Sequence, residues 1–213
     1  MKKKFDINAS YQPKEFSFKD QSKVDEIISR YPEGRSHSAV MPLLDLAQRQ
    51  VGEEGAKANP PYGGWIPCAA MDKIAEITDV PKMRVYEVAT FYSMYNLAPV
   101  GKYLLQMCTT TPCWLCGSGD IVKACEKNLG IHNGESTPDG MFTMMEVECL
   151  GACANAPMIQ VNDDFYEDLT PETMVSLLEN LKKGVVPTPG PQNGRNKAEP
   201  ISGAKTLKAA GGE

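Results

Sequence analysis

The chain has 213 residues, 42% of them apolar and 23% charged, with a net charge of −5. That length allows one substantial domain or two small ones, and the composition is that of an ordinary soluble globular protein. The acidic balance supplies no field for nucleic acid. No apolar run approaches the ~20 residues that span a bilayer, so no direct membrane insertion is expected. The opening MKKKFDINAS is basic with no apolar stretch behind it, which predicts a chain that stays in the cytoplasm where it is made.

Residues 1–20 are polar and aperiodic and read as an extended N-terminal arm. Val24, Ile27, Ile28 and Tyr31 then recur at helical spacing. Ser38 can cap a second helix with Pro42 in its first turn, and Leu43, Leu44, Leu46 and Ala47 form its apolar side. The Gly/Pro-rich stretch 51–64 reads as a loop. Pro67 and Pro81 can open two more helices, the later one running through "PKMRVYEVATFYSMYN". Residues 21–98 are therefore predicted to form a small helical bundle domain.

After "APVG" the period changes. Tyr103, Leu105 and Met107 alternate in a strand that ends at Cys108. A helix is expected over 118–129, closed by Gly130, followed by strands over 142–147, 157–161 and "FYEDL". Thr170 and Pro171 begin a last helix with Met174, Val175, Leu177, Leu178 and Leu181 as its core face, and Gly184 stops it. Strand, helix, strand, strand pair, helix is the order of a small thioredoxin-like α+β domain, here 99–184. Residues 185–213 are Pro/Gly-rich and polar, and read as an extended C-terminal tail that orders only against a partner.

Seven cysteines in a reducing compartment point to metal binding or catalysis more than to disulfides. The stretch "CTTTPCWLCGSGD" holds Cys108, Cys113 and Cys116, which follow the C-x4-C-x2-C spacing of plant-type ferredoxins. Cys113 and Cys116 are also a C-x-x-C, as in thioredoxin-like dithiols and zinc knuckles. Downstream, "ECLGAC" adds Cys149 and Cys153. If their strands run parallel, Cys108 with Cys113 and Cys149 with Cys153 converge from two loops at one end of a sheet. Four thiolates so placed suit a [2Fe–2S] cluster, each iron taking two of them. Backbone amides of "TTTP" and "LGA", the Thr hydroxyls, and a positive φ at Gly151 would serve such an anion. Zinc held by four cysteines and a dithiol at Cys113 and Cys116 stand as alternatives.

Cys125 lies on an apolar helix face with Ile121, Val122 and Leu129 and reads as core. Cys68, in the first turn of a helix, reads as structural. His37 and His132 fall in turn-like segments away from ligand spacing, and Asp163, Asp164, Glu167 and Asp168 read as a solvated turn and edge. Tyr86, Phe91, Tyr92 and Tyr95 read as core and partner interface.

Taken together, "LLDLAQRQ", "MRVYEVATFYSMYN", "CTTTPCWL" and "VECLGACANAPMIQVNDDFYEDLTPE" resemble the small [2Fe–2S] thioredoxin-like ferredoxin subunit of respiratory complex I, the NuoE type. The resemblance runs from about 16 to 190. It implies a helical domain before a thioredoxin-like one, and one [2Fe–2S] cluster on Cys108, Cys113, Cys149 and Cys153. It further implies partners that bind FMN and NADH and carry further iron–sulfur clusters, in a proton-translocating NADH:quinone oxidoreductase. The chain would hold no complete active site. It would sit at the cytoplasmic face of a bacterial inner membrane or the matrix face of the mitochondrial one. The equivalent subunit of a soluble NAD-linked hydrogenase or formate dehydrogenase is the alternative within the family. Two departures stand out: Cys116 where the family usually has Arg, and an insertion over 53–63. As a ligand Cys116 would have to displace Cys149 or Cys153, so it is expected to be a nonligand.

Overall fold

The computed structural model describes residues 6–200, 202 and 203. The first five residues of the expected arm, and residues 201 and 204–213 of the expected tail, lie outside the described residues. The chain divides into two compact units. One takes the chain through Tyr103 together with Pro138–Phe142, and the other takes Leu104–Thr137 and the chain from Thr143 onward.

The first unit is helical. Asp20 caps helix α1 (Gln21–Ser29) by accepting from the Lys23 amide, and Val24 and Ile27 face inward. A short 3-10 turn over Ser36–Ala39 leads into α2 (Val40–Gly55), so the predicted Ser38 cap lies within that turn. Helix α2 also passes its expected end and takes in the first residues of the predicted loop. Val51 and Gly55 are buried there, and Gly64 returns so closely that an added Cβ would meet the Gln48 carbonyl oxygen at 2.5 Å. Helices α3 (Cys68–Thr78) and α4 (Lys82–Phe91) follow Pro67 and Pro81 as predicted.

Helix α4 stops five residues before the expected Asn96. Tertiary hydrogen bonds compete there with the helix. Gln48 accepts from the Asn96 amide at 2.7 Å and donates to the Met94 carbonyl at 3.0 Å. The buried Tyr95 donates its hydroxyl proton to the Met41 carbonyl at 2.9 Å. The core of this unit joins Val24, Leu43, Leu44, Ile66, Met71, Ile74 and Val85.

The second unit is α+β. Its strands are β1 (Tyr103–Cys108), β2 (Phe142–Val147), β3 (Ile159–Val161), β4 (Asp164–Glu167) and β5 (Gly190–Pro191), in the order β2-β1-β3-β4-β5. Strand β3 pairs antiparallel with β1 and β4, and β4 pairs parallel with β5. The register sets Leu105 opposite Val161, and Met107 opposite Ile159, which in turn faces Tyr166. All five are buried on one face. Gln106, Gln160 and Phe165 line up on the other face, to which the alternation of a strand also sends Cys108.

A short helix α5 (Thr111–Leu115) precedes α6 (Ser118–Leu129), which ends on Gly130 at φ +68 as the sequence predicts. Helix α7 (Pro171–Lys182) carries the predicted Thr170 cap, completed by Thr173 in a reciprocal box. It packs on α6, and Lys182 donates to Asn128 at 2.7 Å.

Two further expectations need correction. The segment from 185 was expected to order only against a partner, yet up to residue 200 it packs on its own unit. Gly190 and Pro191 form β5, and Arg195 is nearly buried against Asp168. Asp168 therefore leaves the solvated acidic edge, with only 8% of its side chain exposed. An acidic residue gives no sequence signal of the distant arginine that pairs with it.

Candidate metal centre

Cys108 is the last residue of β1 and Cys113 sits within α5. Thr110, extended at φ −71 and ψ 168, and Pro112 in the first turn open α5 where a loop was expected, a start signal that the sequence carries. This single turn folds Cys113 back onto Cys108, and both are buried with Met158 against Leu150, Ala152, Ala156 and Phe165.

Cys149 follows β2, and Cys153 opens a 3-10 turn over Cys153–Asn155. Gly151, between them, adopts φ +86, the left-handed conformation that glycine takes without strain. The chain curls there and brings the Cys149 and Cys153 sulfurs to 3.6 Å. A tetrahedral metal with sulfur bonds of about 2.3 Å holds two thiolates about 3.8 Å apart, so this pair is spaced as two ligands of one metal. Among the described residues no three His, Cys, Asp or Glu side chains are gathered for a single ion. The thiols stand as two pairs, one buried and one exposed.

The pairs adjoin. Burial pushes the Cys108 thiol up, but the Thr110 hydroxyl at 3.4 Å, the Leu150 amide and Cys113 together hold it below the ordinary value. Burial, then the neighbouring Cys108, push Cys113 up, against the Met158 amide. On the exposed side the Gly151 amide, then Cys153 and Thr110, lower Cys149, while Cys149 raises Cys153. Each pair thus holds one thiol below the ordinary value beside one above it. A metal bound by both sulfurs takes them as thiolates, with release of their protons. Of the donors expected from sequence, the amides of Leu150 and Gly151 and the Thr110 hydroxyl do face the sulfurs, whereas Thr109 bonds Glu146 instead. Two adjoining thiol pairs ringed by N–H and O–H donors fit a [2Fe–2S] cluster, with two thiolates for each iron and hydrogen bonds for its negative charge.

The other cysteines stand apart. Cys116 is exposed at the end of α5, with its amide on the Pro112 carbonyl at 3.0 Å, and it is outside the apolar group around Cys108 and Cys113. Cys125 is fully buried on α6, where burial pushes its thiol up to about 12. Burial also raises Cys68, more than a hydrogen bond from Tyr86 lowers it. Asp168 and Arg195, which the sequence did not connect with this site, converge on the Cys153 turn, where Asp168 accepts from Asn155 and Arg195 donates to the Ala154 carbonyl.

The description "Thioredoxin-like [2Fe-2S] ferredoxin" belongs to the family model that matches residues 24–182. The chain is 48% identical over 200 residues to a Dictyostelium discoideum protein named NADH dehydrogenase [ubiquinone] flavoprotein 2, mitochondrial, covering 94% of this chain and 76% of that one. It is 52% identical over 169 residues to a Rickettsia bellii protein named as a subunit of NADH-quinone oxidoreductase, covering 78% of this chain and 95% of that one. Among solved structures, an NAD+-reducing [NiFe]-hydrogenase in the H2-reduced state aligns with a TM-score of 0.52 at 16% identity. That alignment covers 65% of this chain and 23% of the hydrogenase chain, and at such identity it concerns the fold alone. The chain belongs to the thioredoxin-like [2Fe-2S] ferredoxin family.

Proposed function

We propose that this chain is an electron-transfer subunit of the NADH-oxidising module of an NADH:quinone oxidoreductase, with one [2Fe–2S] cluster on Cys108, Cys113, Cys149 and Cys153. The observation that carries the reading is the pair of adjoining thiol pairs, with Cys149 and Cys153 3.6 Å apart and Cys108 and Cys113 buried behind them. Relatives about half identical to the chain, named as components of such oxidoreductases, support the parent complex.

The cluster supplies a one-electron site, whereas oxidation of NADH by FMN is a two-electron step. This chain's own residues do the rest. Cys108 and Cys113 fix the inner side of the site in an apolar wall, which keeps water from it. The Leu150, Gly151 and Met158 amides and the Thr110 hydroxyl direct positive dipoles at the sulfurs, favouring the more negative, reduced charge state. Cys149 and Cys153 would hold the cluster on the exposed side of the site, the side open to a partner's electron carrier.

FMN and NADH belong to a partner subunit, and a large iron–sulfur subunit receives the electrons. No helix among the described residues is long and apolar enough to cross a membrane. In this reading attachment runs through the complex, at the cytoplasmic face of a bacterial inner membrane or the mitochondrial matrix face, and the complex couples electron flow to proton translocation. Phe91, 80% exposed at the end of α4, and Trp114, 66% exposed on α5, offer apolar contacts for those partners.

Anaerobic purification with visible absorption and EPR of the dithionite-reduced protein tests the cluster. A colourless, EPR-silent protein that iron and sulfide cannot reconstitute overturns it. Co-purification with an FMN-bearing subunit and quinone-reducing membrane subunits is expected. A metal–hydride catalytic subunit in their place would assign the chain to an NAD-linked hydrogenase.

A further inference from the structure

Residues 192–199 follow β5 and return to the turn that carries Cys153. Arg195 lies at the centre of this return. Its Nε and Nη2 donate to the two carboxylate oxygens of Asp168 at 2.7 and 2.8 Å, a bidentate pair with side chains only 9% and 8% exposed. The same guanidinium donates through Nη2 to the Ala154 carbonyl at 2.6 Å and through Nη1 to the Glu199 carbonyl at 2.9 Å.

Ala154 is the residue after Cys153, and its neighbour Asn155 is drawn into the same network. The buried Asn155 side chain donates to Asp168 at 3.2 Å and to the Lys197 carbonyl at 2.9 Å. Its backbone carbonyl accepts from the Asp168 amide at 2.8 Å. Asp168 reaches this position with φ +52, a conformation that Asp tolerates better than most residues. The Cys153–Asn155 turn is thus tied by side chains from β4's end and from the C-terminal segment. The Ala156 amide also donates to the Cys153 carbonyl at 3.4 Å, and the Cys153 thiol itself is exposed.

We infer that Arg195 is a positioning residue for the metal centre: through Asp168 and the Ala154 carbonyl, the C-terminal strap locks the turn that presents Cys153. The inference rests on Cys153 being a ligand. Five N–H donors in a rigid fork let Arg195 bind a carboxylate and two carbonyls at once. Lysine keeps the charge and a bond to Asp168 but cannot span all three. Partners of metal ligands, when removed, typically cost about 10–100-fold in metal affinity.

The test uses the full chain, reconstituted with iron and sulfide, as wild type, Arg195→Lys and Arg195→Gln. Iron release to a chelator, the EPR line shape of the reduced protein, the urea midpoint, and amide exchange over 150–157 in the metal-free chain are measured together. Expected for both variants are iron release about 10–100-fold faster, an altered line shape and faster exchange over 150–157. Arg195→Lys is expected to recover most of the urea midpoint without recovering iron retention. Unchanged release, or release that follows global stability alone across the three proteins, overturns the inference. If Arg195→Gln does not fold, Arg195→Lys decides by the same measures. A wild type that takes up no cluster means that the ligand assignment has failed. Exchange over 150–157 then decides the strap separately, and unchanged exchange overturns it.

Discussion

The sulfurs of Cys149 and Cys153 lie 3.6 Å apart across a turn that depends on the positive φ of Gly151. An x3 spacing alone does not bring two thiols to ligand distance, because an extended chain would separate them by more than 10 Å at about 3.3 Å per residue. The left-handed glycine makes the two residues a pair.

Serine in place of Cys108, Cys113, Cys149 or Cys153 is therefore expected to abolish the cluster absorption and to bring bound iron from about two per chain toward zero. Cys116→Ser, Cys125→Ser and Cys68→Ser are expected to keep both. Iron analysis with EPR checks the series. Cluster loss in Cys116→Ser alone would return the assignment to the C-x4-C-x2-C spacing.

Cys125→Ser should lower stability while leaving the spectrum intact. The thiol is fully buried on α6, and a hydroxyl there without a partner costs about 1–3 kcal/mol. Urea denaturation of the metal-free chain, compared with Cys125→Ala, isolates the cost of the hydroxyl.

Thr170 accepts from the Thr173 amide at 3.2 Å, and Thr173 accepts from the Thr170 amide at 2.8 Å. Thr170→Ala removes half of this box and is expected to cost about 1 kcal/mol. Replacement by Ser or Asp should recover most of it in the same denaturation measurement.

His132 places Nδ1 2.9 Å from a carboxylate oxygen of Glu126. The hydrogen bond and then the charge of Glu126 raise the imidazole above its ordinary 6.5. The folded state thus binds the proton more tightly than the unfolded state. The resulting stabilisation is full below the unfolded pKa and is lost as pH rises through the raised folded value. In an NMR titration, Glu126→Gln should move the His132 midpoint downward. An unmoved midpoint would show that the contact is not made in solution.

Local chemistry made several features legible without coordinates. The α7 cap at Thr170, the Gly130 stop of α6 and the six residues of β2 all depend on neighbours a few positions away. So do the two cysteine spacings. Features set by remote partners were not legible. Helix α4 ends early because Gln48 on α2 takes the backbone groups of Met94 and Asn96, and Asp168 is buried because Arg195 returns to it.

Spacing and periodicity are local properties, so the order of residues was enough to name the thiols able to serve as ligands, the alternation of β1 and the amphipathic helices. How those thiols group is a matter of folding in three dimensions. Strand register carried Cys108 to the face opposite Leu105 and Met107, the single turn of α5 folded Cys113 onto it, and the Gly151 turn closed the second pair. Folding also made a polar, Pro/Gly-rich segment pack on its own chain. A buried bidentate ion pair and backbone hydrogen bonds hold Arg195 there in place of an apolar core, and hydropathy does not register such bonds.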